Sequence, residues 1–384
     1  MEPSGQDHTD RVGGQQLVHW HRTNGTETTA DSYRAHYRRV LLNGLRRTTI
    51  IYLDTNYWVW LRKAELGCGS PHKVALLQIL RVMVRSSEAI CVSHITSLNE
   101  IGKQEESSLR VIAGLLDELT EGIAIAAIPD LRAWDCGRFI QATLAAVADD
   151  QPFNWTNAGQ IHQHALPLNM LDSASEFNRN VVTKASIDVF WNATFEDVFT
   201  AFQWDTKRKL SADIDIDVIA QIEARKATQR AAALSRERVR VNEFSWFVRR
   251  EFGPIFAAQL RAWHIRHGFP LGVGAGAEQL NTLLDTAVNN FKKRTLGVLL
   301  SSAAIVVELY AIYETSHSNR RFTANGWADW NHAAAALPNC DLFLIEGHLA
   351  HQLKQELGAD KQYECTVIGS LAEAIKVLRG MSGS

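Results

Sequence analysis

Cysteine is scarce in this chain and badly placed for cross-linking. The 384 residues contain five, Cys68, Cys91, Cys136, Cys340 and Cys365, an odd number with no C-x-x-C pair. That excludes a disulfide framework and a cysteine zinc finger, and it fits a reducing cytoplasm. The opening MEPSGQDHTDRVGGQQ has no apolar stretch, so a secretory leader is not expected. An excess of one charge is lacking as well: 40 basic residues stand against 42 acidic ones, a sum of −2. The chain as a whole is therefore neither a basic nucleic-acid coat nor an acidic mimic, which leaves only local patches to consider. One apolar run approaches the length of a membrane span, LGVLLSSAAIVVELYAIY at 296–313, but it holds Glu308, two serines and a glycine. It reads as a buried core helix, and no membrane partner is expected.

What is present is ordinary globular material: 46% apolar and 21% charged residues, over a length that suits two domains or one domain with a large insertion. Short β-branched runs alternate with helical segments. TTIIYLD at 48–54, AICVS at 89–93 and the run at 123–128 read as buried strands, with helices predicted at about 57–63, 73–86, 95–104 and 109–120. CDLFLI at 340–345 and YECTVI at 363–368 supply later strands, among helices predicted at 278–313 (broken near Gly297), 327–336, 348–357 and 371–378. The alternation predicts an α/β fold of three layers, αβα, around a central parallel sheet. Between about 151 and 277 strand-like runs are few and long charged helices dominate. The predicted division is an N-terminal arm and basic helix over 1–47, a first α/β part over 48–150, a mainly helical insertion over 151–277 and a second α/β part over 278–384.

Acidic residues collect around the predicted strands. Asp54 closes the first, Glu100 lies on the helix after the second, Asp329 opens the helix before the fourth, Asp341 begins the fourth and Glu346 closes it. Ligands of open α/β sheets bind beyond the carboxyl ends of the strands. Carboxylates gathered there repel one another unless a cation neutralises them, and oxygen ligands with open positions suit Mg²⁺ or Mn²⁺. Asp341 fits this set least well, because a strand's start lies at the opposite edge of the sheet from its end. His332 falls three residues after Asp329 on the same helix face, where it can orient a carboxylate or a phosphate.

Three segments carry a resemblance: IIYLDTNYWVWL at 50–61, VSHITSLNEIGK at 92–103 and DWNHAAAALPNCDLFLIEGHLAHQL at 329–353. With the ending TVIGSLAEAIKVL they resemble the PIN and PIN-like domains, the fold of many metal-dependent ribonucleases. The resemblance covers 48–150 and 278–384. It implies hydrolysis of RNA phosphodiesters assisted by Mg²⁺ or Mn²⁺. It assigns Asp54, Glu100 and Asp329 to the metal and Glu346 to the remaining acidic position, with Asn56 beside Asp54 among the substrate contacts. The family ends its fourth strand with Thr and then Asp, whereas this chain has Ile345 and Glu346, a longer reach without the hydroxyl. Small domains of this family act as toxins, so the implied setting is a toxin or defence effector. The insertion has no counterpart in the family and offers a surface for RNA, for a protein partner or inhibitor, or for self-association.

Two other readings compete. A non-catalytic PIN-like scaffold binding RNA or a protein is favoured by the Ile345-Glu346 departure. An aspartate-nucleophile phosphatase needs D-x-D after its first strand, and here the second position is Asn56. For substrate contacts, residues 225–250 hold eight arginines and lysines against two glutamates, near Trp246 and Phe247. That pattern suits either a phosphate track with stacking rings or a solvated helix face. Arg320 and Arg321, shortly before Asp329, are candidates to clamp the scissile strand, and the arginines between Arg34 and Arg47 are a third possibility.

Overall fold

The computed structural model describes residues 14–24, 27–144, 154–158, 160–161, 175–201, 212–231, 234–268, 275–316 and 321–382. Its architecture follows from side-chain alternation on strand β1 (Thr49–Leu53), which sends Ile51 and Leu53 to one face and Tyr52 to the other. Strands β2 (Ala89–Val92), β5 (Leu342–Leu344) and β6 (Thr366–Ile368) repeat the division. Cys91, Leu342, Leu344 and Ile368 share the core of Ile51, while Ile90, Val92, Phe343 and Val367 share that of Tyr52. All four strands are parallel, in the order β2-β1-β5-β6. A parallel sheet must be covered on both faces, which is why its strands are apolar throughout.

Helices Thr55–Glu65, Pro71–Arg85, Glu106–Thr120 and Leu371–Met381 cover the Ile51 face. Helices Arg236–Phe247, Gly253–His267, Ser301–Ser316 and Ala324–Ala336 cover the other. The fold is thus α/β with a parallel sheet between helical layers, as the alternation of runs predicts. The chain runs outward from β1 to β2, then returns to β5 and β6 on the other side of β1. Strand order therefore reverses between β1 and β5, and the crevice beyond their carboxyl ends is where such sheets bind ligands. Strand β3 (Ile123–Ile125) pairs antiparallel with β4 (Trp155–Asn157). The pair joins the main sheet through one bridge, Ser93 opposite Ala124, where the Ile125 amide donates to Ser93 O at 2.8 Å. β4 is a strand inside the stretch predicted to be mainly helical.

Residues from the middle of the chain enter the same core as Tyr52 and Phe343: Trp155, Ile222, Phe244, Phe252 and Phe256. Phe244 stacks on Phe291 with ring centroids 3.8 Å apart. The apolar run at 296–313 forms the buried helix Ser301–Ser316, after a turn in which Arg294, Gly297 and Leu300 take positive φ. No helix among the described residues is long and apolar enough to cross a membrane.

The N-terminal arm contains a docked helix, Gly14–Asn24, which the polar composition hides. Asp188, on helix Glu176–Trp191, accepts from His21 Nε2 at 2.7 Å, Tyr33 Oη at 2.7 Å and Tyr37 Oη at 2.9 Å. One carboxylate thus ties Gly14–Asn24 and Ala30–Leu45 to a helix far along the chain. Removing it strands three donors. Asp188→Ala is expected to lower stability by about 3 kcal/mol and to speed tryptic cleavage at Arg22. An unchanged urea midpoint and cleavage rate would show that this contact does not hold the arm.

Candidate metal centre

Asp54 follows β1 directly and occupies the N-cap of helix Thr55–Glu65 in extended backbone, yet its side chain caps nothing. Capping is the usual employment of an aspartate at this position. Asp54 instead lies buried, the residue 4% exposed, at the switch point of the sheet. Glu100 comes from helix Ile95–Ile101, which starts just past β2, with His94 Nδ1 accepting from the Thr96 amide at its N-cap. Asp329 and His332 come from helix Ala324–Ala336, whose N-cap is Thr323. Asp329 therefore lies in the second turn and does not open the helix, contrary to the sequence expectation. Glu346 follows β5 at the N-cap of helix Gly347–His351, exposed, and its side chain also caps nothing.

These elements bring Asp54, Glu100 and His332 together, with one ligand atom from each lying within 4.8 Å of the others. His332 Nε2 is 3.0 Å from Glu100 Oε2 and 3.8 Å from Asp54 Oδ1. The Thr55 hydroxyl donates to the same Glu100 oxygen. On the other side of the ring, His332 Nδ1 is 2.6 Å from Tyr52 Oη, which is 3.1 Å from Ser97 Oγ.

Electrostatics tie the remaining acids to this group. Burial raises the Asp329 carboxyl to about 7, and the charges of Asp54, Glu100 and Glu346 add to it against the pull of His332. Burial also raises Asp54; His332 opposes the shift, while Glu100 and Glu346 reinforce it. Glu100 goes the other way: burial pushes it up, but the hydrogen bond and charge of His332 and the Thr55 hydroxyl outweigh this and lower it. For His332 burial disfavours the cation, and Glu100, Asp54 and Asp329 overcome it to raise its pKa. Among the described residues no lysine or arginine forms an ion pair with Asp54, Asp329 or Glu346, and the His332 imidazole opposes the repulsion at Asp54 and Asp329. Two carboxylates and an imidazole converging in a largely buried crevice suit a divalent cation.

The other candidates stand apart. Asp341 begins β5 at the opposite end of the sheet, where its carboxylate accepts from the Ile50 amide at 2.7 Å. That corrects its assignment to the metal: a strand of this length separates its two ends by about 10 Å, and the side chain is occupied in fixing the start of β1. Asn56 is exposed on the first turn after Asp54. Arg321 is exposed ahead of helix Ala324–Ala336, and Arg320 lies outside the described residues. Much of the basic segment is engaged internally. Arg225 stacks on Trp246 at 3.7 Å, Lys226 lies over Tyr313 at 4.0 Å, and buried Arg240 donates to Glu308 and to Phe291 O. Arg249 pairs with Asp285. Of the N-terminal arginines, Arg38 is buried and pairs with Asp130 at 3.0 Å.

Sequence reasoning missed Tyr52, Thr55, Tyr57 and Ser97. Two of them had a signal: Tyr52 precedes Asp54 by two positions on a strand, and Ser97 precedes Glu100 by three on a helix, so each shares a face with an acid already singled out. Tyr57 is buried, its hydroxyl has no hydrogen-bond partner among the described residues, and burial followed by Asp54, Glu373 and Glu346 raises its pKa.

The raised Asp329 carboxyl sets a pH dependence. Its folded value of about 7 exceeds the ordinary 3.8, so the folded chain holds that proton more tightly. The associated stability is complete below about pH 4 and is lost as pH rises towards 7. In chelator-treated protein, Asp329→Asn is expected to exceed the wild type by on the order of 2 kcal/mol at pH 8, after discounting for partial exposure, and by less at pH 5. Equal urea midpoints at both pH values would contradict this. No family model, curated protein or solved structure matches the chain, so its functional reading rests on the geometry of this site and on the sequence motifs that build it.

Proposed function

We propose that this chain is a metal-dependent endoribonuclease of the PIN-like kind, hydrolysing RNA phosphodiesters with Mg²⁺ or Mn²⁺ held by Asp54 and Glu100, beside His332 and flanked by Asp329 and Glu346. The observation that carries the proposal is Asp54, a buried carboxylate at a helix start that caps nothing and faces Glu100 and His332 across less than 4.8 Å. Its place supports the same reading, because it lies where β1 and β5 open the switch-point crevice. The segments at 50–61, 92–103 and 329–353, which carry the family resemblance, are also those that supply the site.

A divalent ion, when bound, supplies Lewis-acid polarisation of the scissile phosphate and makes water nucleophilic near neutral pH. The chain's own groups do the rest. Asp54 and Glu100 hold the ion, and Thr55 fixes Glu100 by its hydroxyl. Glu346, exposed at the end of β5, is placed to orient water or accept its proton, and Asp329 lies within its electrostatic reach. Exposed Arg321 has no ion pair among the described residues, unlike Arg240, and it is the better candidate of the two for meeting phosphate. RNA as the substrate and a toxin or defence setting follow from the resemblance.

One observation favours a non-catalytic scaffold instead: the residue where the family places a hydroxyl is the buried, apolar Ile345. A cleavage assay on labelled RNA separates the two. Wild-type protein is expected to cleave with Mn²⁺ and to stop with chelator, and Asp54→Asn is expected to lose at least about 100-fold of the rate. Cleavage unchanged in that variant would overturn the nuclease reading.

A further inference from the structure

We propose that His332 Nε2 is itself a metal ligand, that it makes the centre a mixed nitrogen–oxygen site preferring a first-row transition ion over Mg²⁺, and that Tyr52 and Ser97 are the positioning residues that present it. The inference rests on the metal centre of the proposed function and not on the identity of the substrate.

The spacing suits direct ligation. Donor atoms about 2.1 Å from one ion lie about 3 Å from each other when adjacent and about 4.2 Å when opposite. Nε2 is 3.0 Å from the Glu100 oxygen and 3.8 Å from the Asp54 oxygen. His332 is 0% exposed, yet it aims this nitrogen at two carboxylates rather than packing it against the apolar core.

The far side of the ring completes the argument. A ligating nitrogen must offer its lone pair, which requires the ring proton to sit on the other nitrogen. Nδ1 has a partner suited to either arrangement, Tyr52 Oη at 2.6 Å, and Tyr52 in turn has Ser97 Oγ at 3.1 Å. When Nε2 carries the proton, it donates to Glu100 and the Tyr52 hydroxyl donates to Nδ1. When a cation takes Nε2, Nδ1–H donates to Tyr52 Oη and the Tyr52 hydroxyl donates to Ser97 Oγ. The ring keeps one proton in both cases, so binding to the neutral ring needs only a change of tautomer. Imidazole favours transition ions, whereas Mg²⁺ prefers oxygen ligands and retains its waters. Tyr52 and Ser97 touch neither ion nor substrate in this scheme and act through His332.

The test uses the full chain loaded with Mn²⁺, read by electron spin-echo modulation from ligand nitrogen, beside calorimetric titrations with Mn²⁺ and with Mg²⁺. Wild type is expected to show ¹⁴N coupling and to bind Mn²⁺ at least about 10-fold more tightly than Mg²⁺. His332→Gln is expected to lose the coupling and most of the preference while still binding Mg²⁺. Tyr52→Phe is expected to keep the coupling and to lose about 10–100-fold in Mn²⁺ affinity. Should His332→Gln not fold, wild-type protein grown with ¹⁵N-labelled histidine gives the same answer, since the coupling must change from ¹⁴N to ¹⁵N. Mn²⁺ bound in a manner that Asp54→Asn abolishes, but without nitrogen coupling, overturns the inference and leaves the nuclease reading standing. Nitrogen coupling without RNA cleavage supports the inference and overturns the nuclease reading. No binding of either ion overturns both.

Discussion

Asp54, Glu100, Asp329 and Glu346 act on one another electrostatically, and Asp54 and Asp329 hold their protons more tightly than an ordinary carboxyl, first because they are buried and then because the other acids are near. Folding gathers this charge at the carboxyl ends of β1 and β5 and sets the buried ring of His332 against it. An arrangement of this kind costs stability in the absence of a cation and regains it when one binds. The architecture around it can be understood as the means of holding that charge in place.

The helices from the middle of the chain contribute to this. Glu223, on helix Ala212–Ala231, accepts from the Phe322 amide at 2.8 Å, immediately ahead of helix Ala324–Ala336. Trp330 on that helix lies against Phe322, Tyr310 and Tyr313, and Tyr313 meets the buried ammonium of Lys226. Residues lying between the two predicted halves of the α/β domain therefore fix the helix that carries Asp329 and His332. Asp135 adds a further constraint by accepting from the Ser302 amide at 2.9 Å, at the start of helix Ser301–Ser316. Burial lifts that carboxyl to about 6 even though the Ser302 and Ser301 hydrogen bonds pull it down.

The parts legible in the sequence were those set by local pattern. The runs that became β1, β2, β5 and β6 are apolar because a parallel sheet is covered on both faces, and that requirement shows in a single strand. Asp54 was legible from its place at a strand's end, and the pairing of Asp329 with His332 from a spacing of three on a helix. What escaped depends on partners distant in sequence. β4 is three residues long and is a strand only because β3 lies beside it. Tyr52 reads as one more core residue until the fold brings Ser97 and His332 to its hydroxyl. The basic segment looked free because Glu308 and Asp285, which engage Arg240 and Arg249, lie well downstream. Asp341 and Glu346 look alike as acids flanking one strand, and only the direction of that strand separates a capping role at one edge from a place in the crevice at the other.

The central claim is that this crevice is built for a cation. Anomalous diffraction from crystals soaked in Mn²⁺ tests it most directly. The account predicts one strong peak about 2.0–2.3 Å from an Asp54 oxygen, a Glu100 oxygen and His332 Nε2, with Asp329 and Glu346 on its open side. A fully soaked crystal with no peak there, or with Mn²⁺ bound only elsewhere on the surface, would contradict it.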